Sequence, residues 1–269
     1  MYKILALDID GTLFNDKKQV TPKTVDAIKK CKDLGVYVVL SSGRYYKGVL
    51  PIAESLELDN CYHVADNGIS YFNTKGEVNF IKVFDKEDYK RLVEHLRKTC
   101  KSFVVTNEMG MWYETEDKSC VTTMRPNNGD AHFIKLKDIL DVPNPFKICA
   151  YYETEEDVNR ILSKEYETIT GCVSYRVLID FYPKGIDKFV TLMEVADKLN
   201  VKEEEIIAVG DSDNDLPLIE NAALGVSVAN GSKKLKEASD VVLDLDNNND
   251  PVCYVIENII ERTLYTGMF

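Results

Sequence analysis

Two apolar strands that run straight into acids constrain this chain more than any other feature. Ile4-Leu5-Ala6-Leu7 leads without a polar residue into Asp8-Ile9-Asp10-Gly11-Thr12, and Ile206-Ile207-Ala208-Val209 leads into Gly210-Asp211-Ser212-Asp213-Asn214-Asp215. Unbroken apolar runs of this length read as strands covered on both faces, the mark of a parallel sheet in an α/β fold. Open α/β sheets bind ligands at the carboxyl edge of their strands, so both acidic turns are expected at one place. Several carboxylates gathered there repel one another unless a hard cation stands between them. Mg²⁺ is the expected ion, and metal-assisted chemistry on an anionic substrate, phosphoryl transfer first, is the expected class.

Composition narrows the partners. A chain of 269 residues with 45% hydrophobic content can bury a full core, as one large domain or two modest ones. The formal charge of −12 argues against a nucleic-acid partner, which calls for a basic face. An acidic protein that handles phosphate needs local positive charge from a cation, a lysine or helix N-termini. The 7 cysteines are an odd set without a CxxC pair, so reduced thiols are expected and neither a disulfide framework nor a zinc site. No leader segment precedes the first strand and no apolar run reaches membrane-spanning length, so the expectation is a cytoplasmic protein with no membrane partner. Oligomeric state is not written in any motif, and a monomer is the simplest expectation.

Thr21-Pro22 caps and starts a helix that Gly35 stops, and Val36-Tyr37-Val38-Val39-Leu40 then reads as a buried parallel strand ending in Ser41-Ser42-Gly43-Arg44. A helix over roughly 45–57, a short strand at Tyr62-His63-Val64 and the turn Asp66-Asn67-Gly68 follow, before a hairpin of Ile69 to Phe72 and Val78 to Val83. From Phe84 the texture becomes α+β: an amphipathic helix (Tyr89, Leu92, Val93, Leu96), short strands at Ser102 to Val105 and Lys147 to Tyr152, an irregular stretch from Arg125 to Pro145, a second helix and a strand from Ser174 to Phe181. The α/β rhythm returns from Ile186. The expected organisation is a Rossmann-like core of residues 1–83 and 184–269, its parallel sheet flanked by helices, with an α+β domain of residues 84–183 inserted into it.

Four elements carry candidate chemistry. Asp8 and Asp10 lie two apart at a strand tip, where Gly11 permits a sharp turn, so one can attack phosphorus while the other moves the leaving group's proton. Ser42-Gly43-Arg44 offers a hydroxyl and the N–H groups of a helix start to phosphoryl oxygens, although alone it reads better as a helix cap. Lys188 stands at a helix start, where its charge opposes the helix dipole unless it faces anions such as Asp8 and a bound phosphate. The Gly210–Asp215 run evokes a calcium loop, but Leu216 and Ala222 occupy the positions of the EF-hand glycine and glutamate, and an Mg²⁺ site shared with Asp8 explains it better. Each element is weak singly. Their order and strand context make one site of them.

Together, Asp8-Ile9-Asp10-Gly11-Thr12, Ser42-Gly43-Arg44, Lys188 and Gly210-Asp211-Ser212-Asp213-Asn214-Asp215 resemble the four motifs of the haloacid dehalogenase superfamily, and specifically its Cof-like type IIB phosphatases with a large C2-type cap. The resemblance extends to Asp66-Asn67-Gly68 and Val228-Ala229-Asn230-Gly231. It implies that Asp8 is the nucleophile and Asp10 the general acid and base. Asp8 and Asp211 would hold Mg²⁺ by carboxylate, and Asp10 by its backbone carbonyl. Ser42, Gly43, Arg44, Asn214 and Lys188 would bind the phosphoryl group, with Asp215 supporting the metal ligands from behind. Ser42 stands where threonine is common, and Phe189 where glycine is frequent.

The implied activity is Mg²⁺-dependent hydrolysis of small phosphorylated metabolites, sugar phosphates foremost, with residues 84–183 as a cap that selects the substrate. Trp112, Tyr113 and Arg125 are candidates to meet the leaving group there, and each reads at least as well as a packing or surface residue. The competing readings are a phosphomutase or phosphotransferase on the same scaffold, and a non-catalytic phosphometabolite sensor. His63, His95 and His132 show no ligand spacing and read as structural.

Overall fold

Leu7 sets the register of the central sheet: it lies opposite Val209 on one side and Leu40 on the other, in the parallel strands Ile4–Leu7, Ile206–Gly210 and Tyr37–Leu40. Residues following these three positions therefore leave the sheet at the same edge. The computed structural model describes residues 1–175 and 177–261. The five parallel strands run in the order Val241–Val242, Leu224–Ser227, Ile206–Gly210, Ile4–Leu7, Tyr37–Leu40. Ile4, Leu5, Ala6 and Leu7 are all fully buried, which is why no polar residue interrupts the run. Each large side chain among them contributes roughly 1.5–3 kcal/mol of burial.

The chain divides into two units. The first comprises residues 1–43, 49–79 and 187 onward, and the second residues 44–48 and 80–186. In the first unit, the helix Pro22–Asp33 is capped by the Thr21 hydroxyl, which accepts from Thr24 N–H at 3.2 Å, and buries Ala27, Ile28 and Cys31. A short antiparallel pair, His63–Ala65 with Ser70–Phe72, attaches to the sheet edge through a parallel bridge between Ser41 and Val64. The helix Lys188–Leu199 starts at Asp187, whose carboxylate accepts from Phe189 N–H and Val190 N–H, both at 2.8 Å.

The second unit carries a six-stranded sheet in the order Ile169–Tyr175, Leu178–Pro183, Lys147–Tyr151, Phe103–Asn107, Gly110–Tyr113, Phe133–Lys135. All its pairs are antiparallel except the last, which is parallel. Tyr89, Leu92, Val93 and Leu96 of the helix Lys86–Thr99 are buried on one face of that sheet with Phe103, Val105, Ile148, Ala150, Ile179 and Phe181. The single strand expected from Ser174 to Phe181 is instead parts of two, ending at Tyr175 and restarting at Leu178 as a hairpin. No Gly, Pro or Asn marks that turn, so the β-rich pattern reads as continuous; Arg176 lies outside the described residues. The stretch expected to be irregular holds the strand Phe133–Lys135 and two short 3₁₀ turns.

All seven cysteines are free thiols. Among the described residues, no helix is long and apolar enough to cross a membrane.

Candidate active site

Lys188 is the centre of the arrangement. Its side chain is fully buried, and its ammonium donates to Asp8 Oδ1 and to Asp215 Oδ1, each at 2.6 Å. The two acids come from strands 199 or more residues apart in sequence but adjacent in the sheet, since Asp8 follows Leu7 and Asp215 lies in the turn after Gly210. The other Asp215 oxygen accepts from the Asp211 and Ser212 N–H groups, both at 3.1 Å. Oxygens of Asp8, Asp211 and Asp215 lie within 4.8 Å of one another.

This crowding shows in the acidities. Burial foremost, and then the Asp215 charge, pushes the Asp8 carboxyl up to about 7, with Lys188 pulling against it and Asp10 adding to the rise. Burial, followed by Asp8 and Asp215, pushes Asp211 up to about 9 despite Lys188 and a hydrogen bond from Thr12 at 3.3 Å. Burial alone would strip the Lys188 proton, but Asp215 and Asp8 outweigh it and hold the ammonium firmly charged. Three carboxylates and one ammonium cannot all stay ionised unaided. A hard divalent cation among these oxygens relieves the imbalance, and an all-oxygen donor set of this kind suits Mg²⁺. The residues therefore fit the group.

The loops around the acids are tied by glycine and asparagine. Gly11 has φ +89°, and a Cβ there would fall 2.8 Å from Asp211 Cγ, so only glycine lets the first turn close onto the fourth element. The Gly11 carbonyl accepts from Asn230 Nδ2 at 2.8 Å, while Ser232 N–H donates to Asp211 O at 2.7 Å. Thus residues 228–232 hold both acidic loops. Asp10 is half-buried and bridges to Phe14 across the turn; its charge reaches Asp8, but its carboxylate is outside the three-acid cluster.

Ser42 is buried at the same sheet edge, its N–H donating to Val64 O at 3.0 Å and its carbonyl accepting from Asn67 N–H at 3.1 Å. A Cβ on Gly43 would sit 2.8 Å from Asn67 Oδ1 and 3.5 Å from Asn214 Nδ2, which places all three side by side. Asn214 donates to Asn67 Oδ1 at 2.9 Å and accepts from Ser212 Oγ at 2.9 Å. Arg44, the remaining expected phosphate contact, falls in the second unit.

Sequence reasoning assigned no role to Asn67, Thr12 or Asn230, all of which touch the cluster or its loops. The signal was available for Asn67, a polar trio after a short apolar strand. Trp112 lies against the second unit's core and donates to Asn107 Oδ1 at 2.9 Å, and Arg125 stacks 5.0 Å over the Phe133 ring. His63 is fully buried between Leu40 N–H and Leu58 O, and burial lowers it to about 4, so it stays neutral. His95 bonds Ile161 O at 3.0 Å.

A family model described as haloacid dehalogenase-like hydrolase matches residues 5–256. The chain is 30% identical over 259 residues to a 5-amino-6-(5-phospho-D-ribitylamino)uracil phosphatase, YcsE, of Bacillus subtilis, covering 95% of each chain. It superposes on the crystal structure of a haloacid dehalogenase-like hydrolase from Bacteroides thetaiotaomicron with a TM-score of 0.84 and 26% identity, covering 96% of this chain and 100% of that one. A subclass IIB sugar phosphatase of the same superfamily shares the fold at a TM-score of 0.81 and 20% identity, covering 99% and 100%.

Proposed function

The chain belongs to the haloacid dehalogenase-like hydrolases and is a phosphatase acting on phosphoric monoesters, and on that premise we propose an Mg²⁺-dependent enzyme that works through an aspartyl-phosphate on Asp8. The observation that carries this reading is the buried Lys188 ammonium, shared between Asp8 and Asp215 at 2.6 Å beside Asp211. A buried charge cluster of this kind carries a large desolvation penalty, and strongly perturbed charges of this kind gather at functional sites.

In this reading an Asp8 oxygen attacks phosphorus, and the bond from phosphorus to the leaving oxygen breaks as Asp10 gives that oxygen its proton. Water then attacks the phosphorus of the acyl-phosphate, its proton passes to Asp10, and the Asp8 carboxylate is released with free phosphate. Lys188 favours the ionised form of Asp8 that attack requires and adds positive charge where the phosphoryl group sits. Asp8 and Asp211 by carboxylate, and Asp10 by its backbone carbonyl, would hold Mg²⁺, whose charge offsets theirs and that of the phosphoryl oxygens. Ser42, Gly43, Arg44 and Asn214 would receive those oxygens, and Asp215 keeps Lys188 and the Asp211 loop in place. Residues 84–183 would form the cap that selects the substrate.

The substrate class is a small phosphorylated metabolite with a sugar or sugar-alcohol chain, supported by the ribityl phosphate in the name of the 30%-identical relative. Phosphate release from a panel of sugar phosphates, polyol phosphates and nucleotides tests this. Turnover that needs Mg²⁺ and vanishes in Asp8→Asn is expected. Activity undiminished in Asp8→Asn refutes the covalent route, and return of labelled phosphate to a sugar hydroxyl would identify a mutase.

A further inference from the structure

The turn Asp66-Asn67-Gly68 touches three of the four site elements, although it contributes nothing to the chemistry described above. Asn67 N–H donates to Ser42 O at 3.1 Å, Asn67 Oδ1 accepts from Asn214 Nδ2 at 2.9 Å, and a Cβ on Gly68 would lie 3.0 Å from Lys188 N. Its backbone is unusual: Asp66, Asn67 and Gly68 have φ of +55°, +57° and +98° in succession. Non-glycine residues reach that region at a cost of order 1–2 kcal/mol each, and asparagine and aspartate tolerate it best. The surroundings hold the turn in place, with Ser70 Oγ donating to Asp66 Oδ2 at 2.8 Å and the Thr191 hydroxyl donating to Gly68 O. Strain retained this way accumulates where geometry matters for function.

Consider what the turn does to Asn214. An amide side chain has two orientations that differ by exchanging oxygen and nitrogen. Ser212 Oγ donates to Asn214 Oδ1, and Asn67 Oδ1 takes one Asn214 N–H, so both ends are specified. The second Asn214 N–H has no protein partner among the described residues. Asn67 is 2% exposed and cannot trade its role with water.

The geometry points to Asn67 as a positioning residue that fixes the Asn214 amide with its remaining N–H toward the phosphoryl oxygens. This rests on the phosphomonoesterase reading of the same site. Asn67 does not meet the reacting atoms; it acts through Asn214 and through the Ser42 carbonyl. Removing it frees Asn214 to rotate and leaves its donor unaimed, which weakens ground-state and transition-state binding of phosphate together.

A double-mutant cycle tests this, with Asn67→Gly, Asn214→Ala and the pair. Glycine keeps the left-handed turn while deleting the acceptor. The readouts are the Kd for inorganic phosphate in Mg²⁺, measured from protection against thermal unfolding, and the KM and kcat for p-nitrophenyl phosphate. The expected results are roughly tenfold weaker phosphate binding in each single variant, one hydrogen bond's worth, and a double variant no worse than either. KM should rise by the same factor with kcat little changed. Losses that multiply in the double variant, or an Asn67→Gly protein that binds phosphate like the parent, overturn the inference. Should Asn67→Gly not fold, Asn67→Ser replaces it, being too short to reach Asn214, with the same expected loss. Asp8→Asn separates the two levels: if it abolishes turnover while the cycle is multiplicative, this inference alone fails. If it leaves turnover intact while the cycle shows coupling, the covalent mechanism alone fails. A parent protein that phosphate does not protect overturns both.

Discussion

Replacing Lys188 by methionine removes one charge and leaves two buried carboxylates without a counter-ion. Each 2.6 Å contact, to Asp8 and to Asp215, is worth roughly 6 kcal/mol of attraction at an effective dielectric of about 20, much of it offset by desolvating the ammonium. What remains after the lysine is removed is the penalty of the stranded acids, about 3–5 kcal/mol for a broken buried pair. Near pH 8, with EDTA present, Lys188→Met should therefore lower the melting temperature by roughly 6–20 °C. The loss should shrink at pH 5. Asp8 is already raised to about 7, and losing Lys188 raises it further, so at pH 5 the acid takes a proton and the penalty falls away. By linkage, a carboxyl whose folded value lies above its unfolded one gives stability that is complete at low pH and is lost as pH rises through the folded value, and the variant should show this slope more steeply than the parent. The assay is thermal unfolding by circular dichroism at both pH values. An equal loss at pH 5 and pH 8, or less than about 1 kcal/mol at pH 8, would refute the reasoning.

In EDTA the parent itself should lose stability as pH rises from about 4 through about 7 and on to about 9, because Asp8 and Asp211 are both raised; Mg²⁺ should flatten that decline, and a melting temperature independent of Mg²⁺ at pH 9 would contradict it. His63 works in the opposite sense: its folded value near 4 means stability is lost as pH falls below about 6.5, so His63→Asn should be less acid-sensitive than the parent once their neutral-pH difference is subtracted. Gly11→Ala meets both a φ of +89° and the Asp211 carboxyl, and should cost about 1–3 kcal/mol with near-complete loss of phosphatase turnover, read by melting and phosphate release. Asp187→Ala deletes the cap of the Lys188 helix and should cost about 1 kcal/mol, measured by urea unfolding.

Much of the first unit was legible because its signals are local or periodic. Ile4–Leu7 and Ile206–Val209 are apolar throughout because they are covered on both faces, and a parallel sheet then obliges Asp8 and Asp211 to share an edge. Lys188 was legible as an anomaly, a cation at a helix start. The break between Tyr175 and Leu178 was not, since no Gly, Pro or Asn stands in the run from Val173 to Tyr182 and the register of a strand depends on its neighbours. For Trp112 and Arg125 the sequence left packing and presentation both open, because an aromatic or guanidinium has no sequence mark that separates the two.

By itself, the sequence determined which atoms this protein has to work with and at which sheet edge they emerge: acids two apart at a strand tip, a glycine to turn behind them, and a lysine at the start of a helix. The tertiary structure decided who partners whom. Asp215 rather than Asp10 shares the ammonium with Asp8, and Asn67, with no spacing relation to any motif, reaches Asn214 at a sequence separation of 147. The physical reason is range. Strand burial follows from apolar pattern within a few residues, whereas a hydrogen bond needs two side chains placed within about 3 Å, and that distance exists only after elements remote in sequence have packed.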